Sequence, residues 1–205
     1  MVADLDYSSR ISIQEANYSG TTQDLIQFFV TDKGIYDDIP EMRNLKRMLM
    51  TSVSIFKPLE EGNVYFVPLM EASKNSQVLP VEVVINNIHP AEILRLFKAD
   101  KVRKTLAAHV LSKDKTKPFE IIAVGDSDLL YDSFWTSSVT IGNNNYNVPM
   151  LDNGNFVLNS LDVLTGNDTL LDLRGKSPRR REGFSPTSPL FRSFSLPRGC
   201  SPIRL

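Results

Sequence analysis

The chain has 205 residues, 41% of them hydrophobic and 23% charged, the proportions of a globular protein long enough to bury a core without staples. Its formal net charge of −1 divides unevenly, with 17 Lys/Arg against 23 Asp/Glu in residues 1–176 and six Arg against one Glu in residues 177–205. The acidic balance of the larger part argues against nucleic-acid binding, and the single cysteine, Cys200, excludes an intramolecular disulfide or a cysteine-built metal site.

The first residues, Met1-Val2-Ala3-Asp4-Leu5-Asp6, have neither a basic start nor an apolar run, so no signal peptide is expected. No apolar stretch approaches the ~20 residues that span a bilayer, and the chain reads as soluble. Val2 to Ile13 alternates loosely, in the manner of an edge strand, and Gln23 to Val30 reads as a short strand. Pro40 and Asn44 mark a turn. Leu45 to Phe56 mixes apolar and polar residues at near-strand spacing and stops before Pro58; Asn63 to Met70 and Val81 to Ile85 are further apolar runs. Pro90 favours a first helical position, and Ile93 and Phe97 lie four apart, so a short helix is expected over 91–97.

Leu106 to Leu111 fits either a helix or a strand. After the charged turn from Ser112 to Pro118, Phe119-Glu120-Ile121-Ile122-Ala123-Val124 is a β-rich run with one polar residue, which suits a strand covered on both faces in a parallel or mixed sheet. It ends in Gly125-Asp126-Ser127-Asp128, beyond which Leu129, Leu130 and Phe134 suggest helix or turn. Asn143 to Asn145 reads as a loop. Asp152 to Leu164 is the strongest helix: Asp152 or Asn153 is the expected cap, Phe156, Val157, Ser160, Leu161 and Leu164 the expected apolar face, and Gly166 the stop. Thr169 to Leu173 completes the pattern as a short strand, and strand, acidic loop, helix and strand in that order are an α/β signature.

Residues 177–205 hold five Pro, six Ser and six Arg with no Lys, a composition that cannot bury a core. The expected organisation is a folded domain over 1–176 and a disordered tail over 177–205. The abrupt change in Lys/Arg usage also raises an out-of-frame or truncated reading. Arg179-Arg180-Arg181 and the four Ser-Pro pairs of the tail read as incidental rather than as an anion-binding or phosphorylation site.

The sharpest motif is Gly125-Asp126-Ser127-Asp128, at the carboxyl end of a strand, where open α/β sheets bind ligands. An esterase would use Ser127 as nucleophile and needs a histidine base. Both histidines, His89 and His109, precede the serine, and Gly166-Asn167-Asp168 matches the Asn block of such hydrolases only in part. A phosphatase would use Asp126 and Asp128 as an Asp-x-Asp pair, but lacks the accompanying Thr/Ser, Lys and acidic set. A third reading is a cation or polar-ligand loop. The plainest one has both aspartates capping the next helix or tying down a turn that Gly125 permits. His89 reads as a turn residue, His109 as a core histidine and Trp135 as a packing anchor near the loop. Two histidines without ligand-spaced partners make no metal site.

Three blocks carry a family resemblance. Glu120 to Leu130 resembles the strand and Gly-Asp-Ser/Ala-Asp segment of gliding-motility-type ABC transporter auxiliary proteins. Asn153-Gly154-Asn155-Phe156-Val157-Leu158-Asn159-Ser160-Leu161, running on to Gly166, resembles that family's Asn-Gly-Asn/Asp helix, and Leu171 to Lys176 resembles its following strand. The likeness is closest over 106–181 and looser over 2–90. It implies an α/β fold, a partial flavodoxin-like sheet related to class I glutamine amidotransferases and shared with an intraflagellar-transport domain. No catalytic activity is implied, and residues 1–199 contain no cysteine to act as an amidotransferase nucleophile.

The resemblance further implies partnership with an ABC permease and an ATPase on the extracytoplasmic (periplasmic) side of a membrane. Family members are held there by transmembrane helices, and the anchor and the first strands are expected to be missing from this chain. Such a half-sheet would expose an unpaired edge. The expected role is binding or scaffolding without a cofactor, with Asp126, Ser127, Asp128 and Trp135 as the ligand or partner contacts. A Ser127 esterase and a truncated product without function are the alternatives.

Overall fold

The computed structural model describes residues 1–167 apart from 16–17, 60–61 and 87–88. In chain order its elements are β1 (Val2–Asp4), β2 (Ser8–Glu15), β3 (Tyr18–Thr31), a 3-10 turn (Pro40–Met42), β4 (Arg47–Thr51), β5 (Val64–Glu71) and β6 (Ser76–Val78). Then follow α1 (Val81–Asn86), α2 (Pro90–Leu96), β7 (Thr105–Ser112), β8 (Glu120–Val124), α3 (Asp132–Trp135), β9 (Thr136–Ile141), β10 (Asn144–Pro149) and α4 (Asn153–Leu164). The expected strand at Thr169–Leu173 and the tail lie outside the described residues.

The fold is mixed α and β, and its strands form small sheets ordered β2-β3-β4, β5-β7-β8, β1-β6 and β9-β10. Every pairing between these named strands is antiparallel. A flavodoxin-like sheet instead pairs its strands in parallel through helical crossovers, and no such pairing occurs among these strands.

β3 extends well past the short strand expected at 23–30 because it serves two partners. Its first half pairs with β2 and its last five residues with β4. The handover falls at Asp24, whose carboxylate accepts from the amides of Ile26 and Gln27 at 3.0 and 3.1 Å. Beyond it the alternation is strict: Phe28 and Val30 are fully buried, while Phe29 lies on the other face under the Arg47 guanidinium, 3.8 Å from the ring centre.

The ambiguous segment 106–111 is a strand. β7 takes the middle of its sheet, between β5 and β8, with Leu106, Ala107 and Ala108 at 0% exposure. Pro68 sits on the edge strand β5 beside a register shift, where a missing amide costs no ladder bond. β8 is not covered on both faces as its composition suggests. It pairs only with β7, and Phe119 and Ile121 are exposed at 45% and 51%.

The apolar run 81–85 forms helix α1, and α2 begins at Pro90 with Ile93 buried, as its spacing predicts. The expected loop at 143–145 is the tip of a hairpin. Gly142, at φ +62°, and Asn143 turn the chain, and Asn144 already pairs with Ile141.

The main core gathers Phe28, Met48, Met50, Leu69, Met70 and Leu106 with Met42 from the 3-10 turn and Phe156 from α4. Unbranched methionines fill the irregular space where short sheets meet a helix. A second cluster, Ala3, Leu25, Ile26, Leu79 and Ile93, lies under α1 and α2. At the end of β1, Asp4 is fully buried. It accepts from the Tyr7 amide at 3.0 Å, the Ser73 amide at 2.6 Å and the Ser73 hydroxyl at 2.8 Å. Burial nonetheless raises its carboxyl above the ordinary range.

Candidate functional site

β4 is the outermost strand of its sheet. Its alternate amides at 47, 49 and 51 point away from β3 and would be orphaned there. Side chains from two distant segments satisfy them. The Asp152 carboxylate accepts from the amides of Lys46 and Arg47 at 2.9 and 3.1 Å, and the Asp152 amide donates to the Arg47 carbonyl at 3.0 Å. Asn153 accepts from the Leu49 amide at 3.1 Å and donates to the Leu49 carbonyl at 2.8 Å and the Leu129 carbonyl at 3.0 Å. Asp126 accepts from the Thr51 amide at 2.7 Å. Three consecutive outward positions are thus paired as if by another strand, with no strand present, and the expected open edge is closed here.

This arrangement decides what the Gly-Asp-Ser-Asp loop does. Gly125 is needed because its backbone presses on Ser54: a Cβ there would lie 2.4 Å from the Ser54 carbonyl oxygen. The Ser54 amide in turn donates to the Gly125 carbonyl at 2.8 Å. Asp126, 8% exposed, spends one oxygen on Thr51 and the other on the Asp128 amide at 2.8 Å. Burial is the largest influence on its carboxyl and raises its pKa, against the two amides that favour the charged form. Ser127 and Asp128 are exposed, and the Asp128 carbonyl accepts from the Tyr131 amide at 2.9 Å.

Trp135 is half-buried and stands over Gly154 at the start of α4, where a Cβ would come within 2.8 Å of the indole. Its carbonyl accepts from the amides of Met150 and Leu151, closing the base of the β9–β10 hairpin, whose residues 137–149 are exposed throughout. In α4 the buried positions are Asn153, Phe156, Asn159, Ser160 and Asp162, whereas Leu161 and Leu164, expected inward, are 52% and 41% exposed. The helix rotates because its asparagines have partners inside. Asn159 donates to the carbonyls of Glu41 and Arg43, both at 3.2 Å. Asp152 holds the cap position but caps no helix amide: one carboxylate oxygen serves the Lys46 and Arg47 amides, and the other accepts from the Asn155 side-chain amide at 3.1 Å. Gly166, at φ +69°, ends the helix in the left-handed region as predicted.

Neither histidine is set against Ser127. His89 caps α2, its Nδ1 accepting from the Ala91 amide at 3.3 Å. His109 lies between two glutamates, Nδ1 being 2.5 Å from Glu41 Oε1 and Nε2 2.8 Å from Glu120 Oε1. These are close contacts rather than aligned bonds, since neither Glu41 Oε1 nor His109 Nε2 has a hydrogen bond of good geometry. Among the described residues no three of His, Cys, Asp and Glu converge on a metal-sized point, and no helix is long and apolar enough to cross a membrane.

The site residues named from sequence are therefore close in chain but separated in role: Asp126 inside on β4, Ser127 and Asp128 outside, Trp135 on Gly154. Asn159, Glu41 and Asp4 escaped the sequence reading, and Asn153 was read only as a cap of its helix. Their polarity amid apolar neighbours was the available signal, though not their partners.

A mixed α/β domain with a helix and an acidic loop fastened along one strand edge is the class that these features define. The chain belongs to the ABC-type uncharacterized transport system family, whose model matches residues 1–160, and is thus an auxiliary component of such a system. The first two blocks of the resemblance lie within the match up to residue 160, and the third lies beyond it. No curated protein and no solved structure matches the chain.

Proposed function

We propose that the chain is a non-catalytic binding module that holds permease and ATPase partners of an ABC-type transport system together, on the extracytoplasmic face of the membrane as in gliding-motility-type systems. One observation carries this reading: the buried carboxylate of the acidic loop is consumed by the Thr51 and Asp128 amides, so it is not available as a base or nucleophile. A serine hydrolase needs a base on its nucleophile, and both histidines are engaged elsewhere. What the loop offers outward is Ser127, Asp128 and the hairpin that Trp135 anchors. In this reading Ser127 and Asp128 touch the partner, while Asp126 and Trp135 position them.

Photo-crosslinking from position 127 in membranes carrying the permease and ATPase tests the reading. The expected product joins the chain to one of those subunits, and the yield falls in Asp128→Lys. Hydrolysis of p-nitrophenyl acetate by purified chain that disappears in Ser127→Ala would overturn the non-catalytic reading in favour of an esterase.

A further inference from the structure

Beside the face of β3 that bears Phe29 and Thr31 lies a cavity of about 520 Å³, lined by Tyr7, Phe29, Lys33, Arg47, Lys74 and Arg103 among others. Four cations meet there against one lining carboxylate, Asp6, in a domain whose overall charge is negative. Asp6 is itself occupied, accepting from the Asn75 side-chain amide at 2.8 Å.

Both guanidinium groups are oriented by contacts with the surrounding protein. Arg47 stacks on Phe29 at 3.8 Å from the ring centre. Arg103 donates to the Lys33 carbonyl at 3.1 Å and lies 4.0 Å from Glu71. The Lys33 loop is drawn against this wall by Gly34, where a Cβ would lie 2.8 Å from the Tyr7 hydroxyl and 2.4 Å from the Glu71 carbonyl. Lys33 and Lys74 are exposed and form no ion pair among the described residues. A recess lined by charge of one sign concentrates its field inward. Planar guanidinium forks held in advance, with mobile ammonium groups beside them, suit phosphate oxygens. The volume falls in the range of small-molecule sites and exceeds a lone phosphate.

We propose that this cavity binds a phosphorylated ligand carrying a monoester or diphosphate group, a function separate from the partner contact at Ser127 and Asp128. The hydroxyl of Tyr7, on the lining, adds a donor.

Calorimetry of the full chain with pyrophosphate at low salt tests this, alongside Lys33→Gln/Lys74→Gln, a double change at exposed positions that should leave the melting temperature unaltered. Saturable binding is expected, weakened about tenfold or more in the double variant. Absence of binding, equal binding by the double variant, or equally tight binding of citrate would overturn the assignment. Co-sedimentation separates the sources of the phosphate. Pelleting with phosphatidic acid vesicles but not phosphatidylcholine vesicles, reversed by pyrophosphate, identifies a lipid headgroup. Pyrophosphate binding without pelleting identifies a soluble ligand.

Discussion

The side chain of Asn153 brackets Leu49, accepting from its amide at 3.1 Å and donating to its carbonyl at 2.8 Å across 104 residues of sequence. One amide group thus imitates the peptide unit of a neighbouring strand, in the middle of an edge that Asp152 and Asp126 close at either end. The two strongest sequence blocks of the chain converge on this edge.

Asn153→Ala should be among the most damaging single changes. It leaves the Leu49 amide and two carbonyls, those of Leu49 and Leu129, buried without that partner. A loss of about 3 kcal/mol is expected in urea unfolding followed by circular dichroism. A loss within experimental error would show that water takes the place of the side chain.

Neighbouring positions in the acidic loop should differ sharply. Asp126→Ala removes a buried acceptor of two amides and should cost about 1–3 kcal/mol. Ser127→Ala, at an exposed position, should stay within about 0.5 kcal/mol. Paired melting curves decide between this and a loop in which all four residues matter alike.

Stability should carry a pH signature from Asp4 and Asp126. Both carboxyls are raised in the folded state, chiefly by burial, so folded protein binds more protons than unfolded protein between the ordinary carboxylate pKa and the raised values. Their favourable contribution is complete below the unfolded pKa and is lost as pH rises through the folded one. Asp4→Asn should flatten that part of the curve of unfolding free energy against pH. An unchanged slope would remove Asp4 from the account.

Tyr36 donates to Glu71 at 2.5 Å, and this bond, ahead of burial, pushes its phenol up to about 12. Phenolate absorbance should therefore show Tyr36 titrating late, in company with Tyr7, which burial also raises. Glu71→Gln should bring Tyr36 back toward the ordinary value. A late phase as large in that variant as in the parent chain would place the cause elsewhere.

Gly154→Ala drives a methyl group into the indole of Trp135, the single tryptophan of the chain. Overpacking of this kind costs about 1–3 kcal/mol. The emission maximum of Trp135 should shift in the folded variant, reporting displacement at the base of the hairpin. Unaltered emission and stability would mean that the ring has room to move.

Much of the local structure was legible from short-range signals. Pro90 with Ile93 located α2, Gly166 located the end of α4, and Phe28 and Val30 lay in a segment read as a strand. The blocks around Asp126 and Asn153 indicated the family that the match over 1–160 establishes. The inward face of α4 was misassigned because hydrophobicity placed Leu161 and Leu164 inside. The helix instead turns Asn153 and Asn159 toward carbonyls contributed by β4, the Leu129 turn and the segment 41–43.

By itself, then, the sequence determined where α2 begins, where α4 lies and stops, and which family the chain belongs to, since those depend on residues within a few turns of one another. Only the tertiary structure decided that 106–111 is a central strand, that the Asp126 carboxylate accepts from the Thr51 and Asp128 amides, and that Lys33, Arg47, Lys74 and Arg103 share one cavity. The reason is physical. A carboxylate's chemistry depends on which amides and charges surround it, and at Asp126 one of those amides, that of Thr51, arrives from 75 residues away.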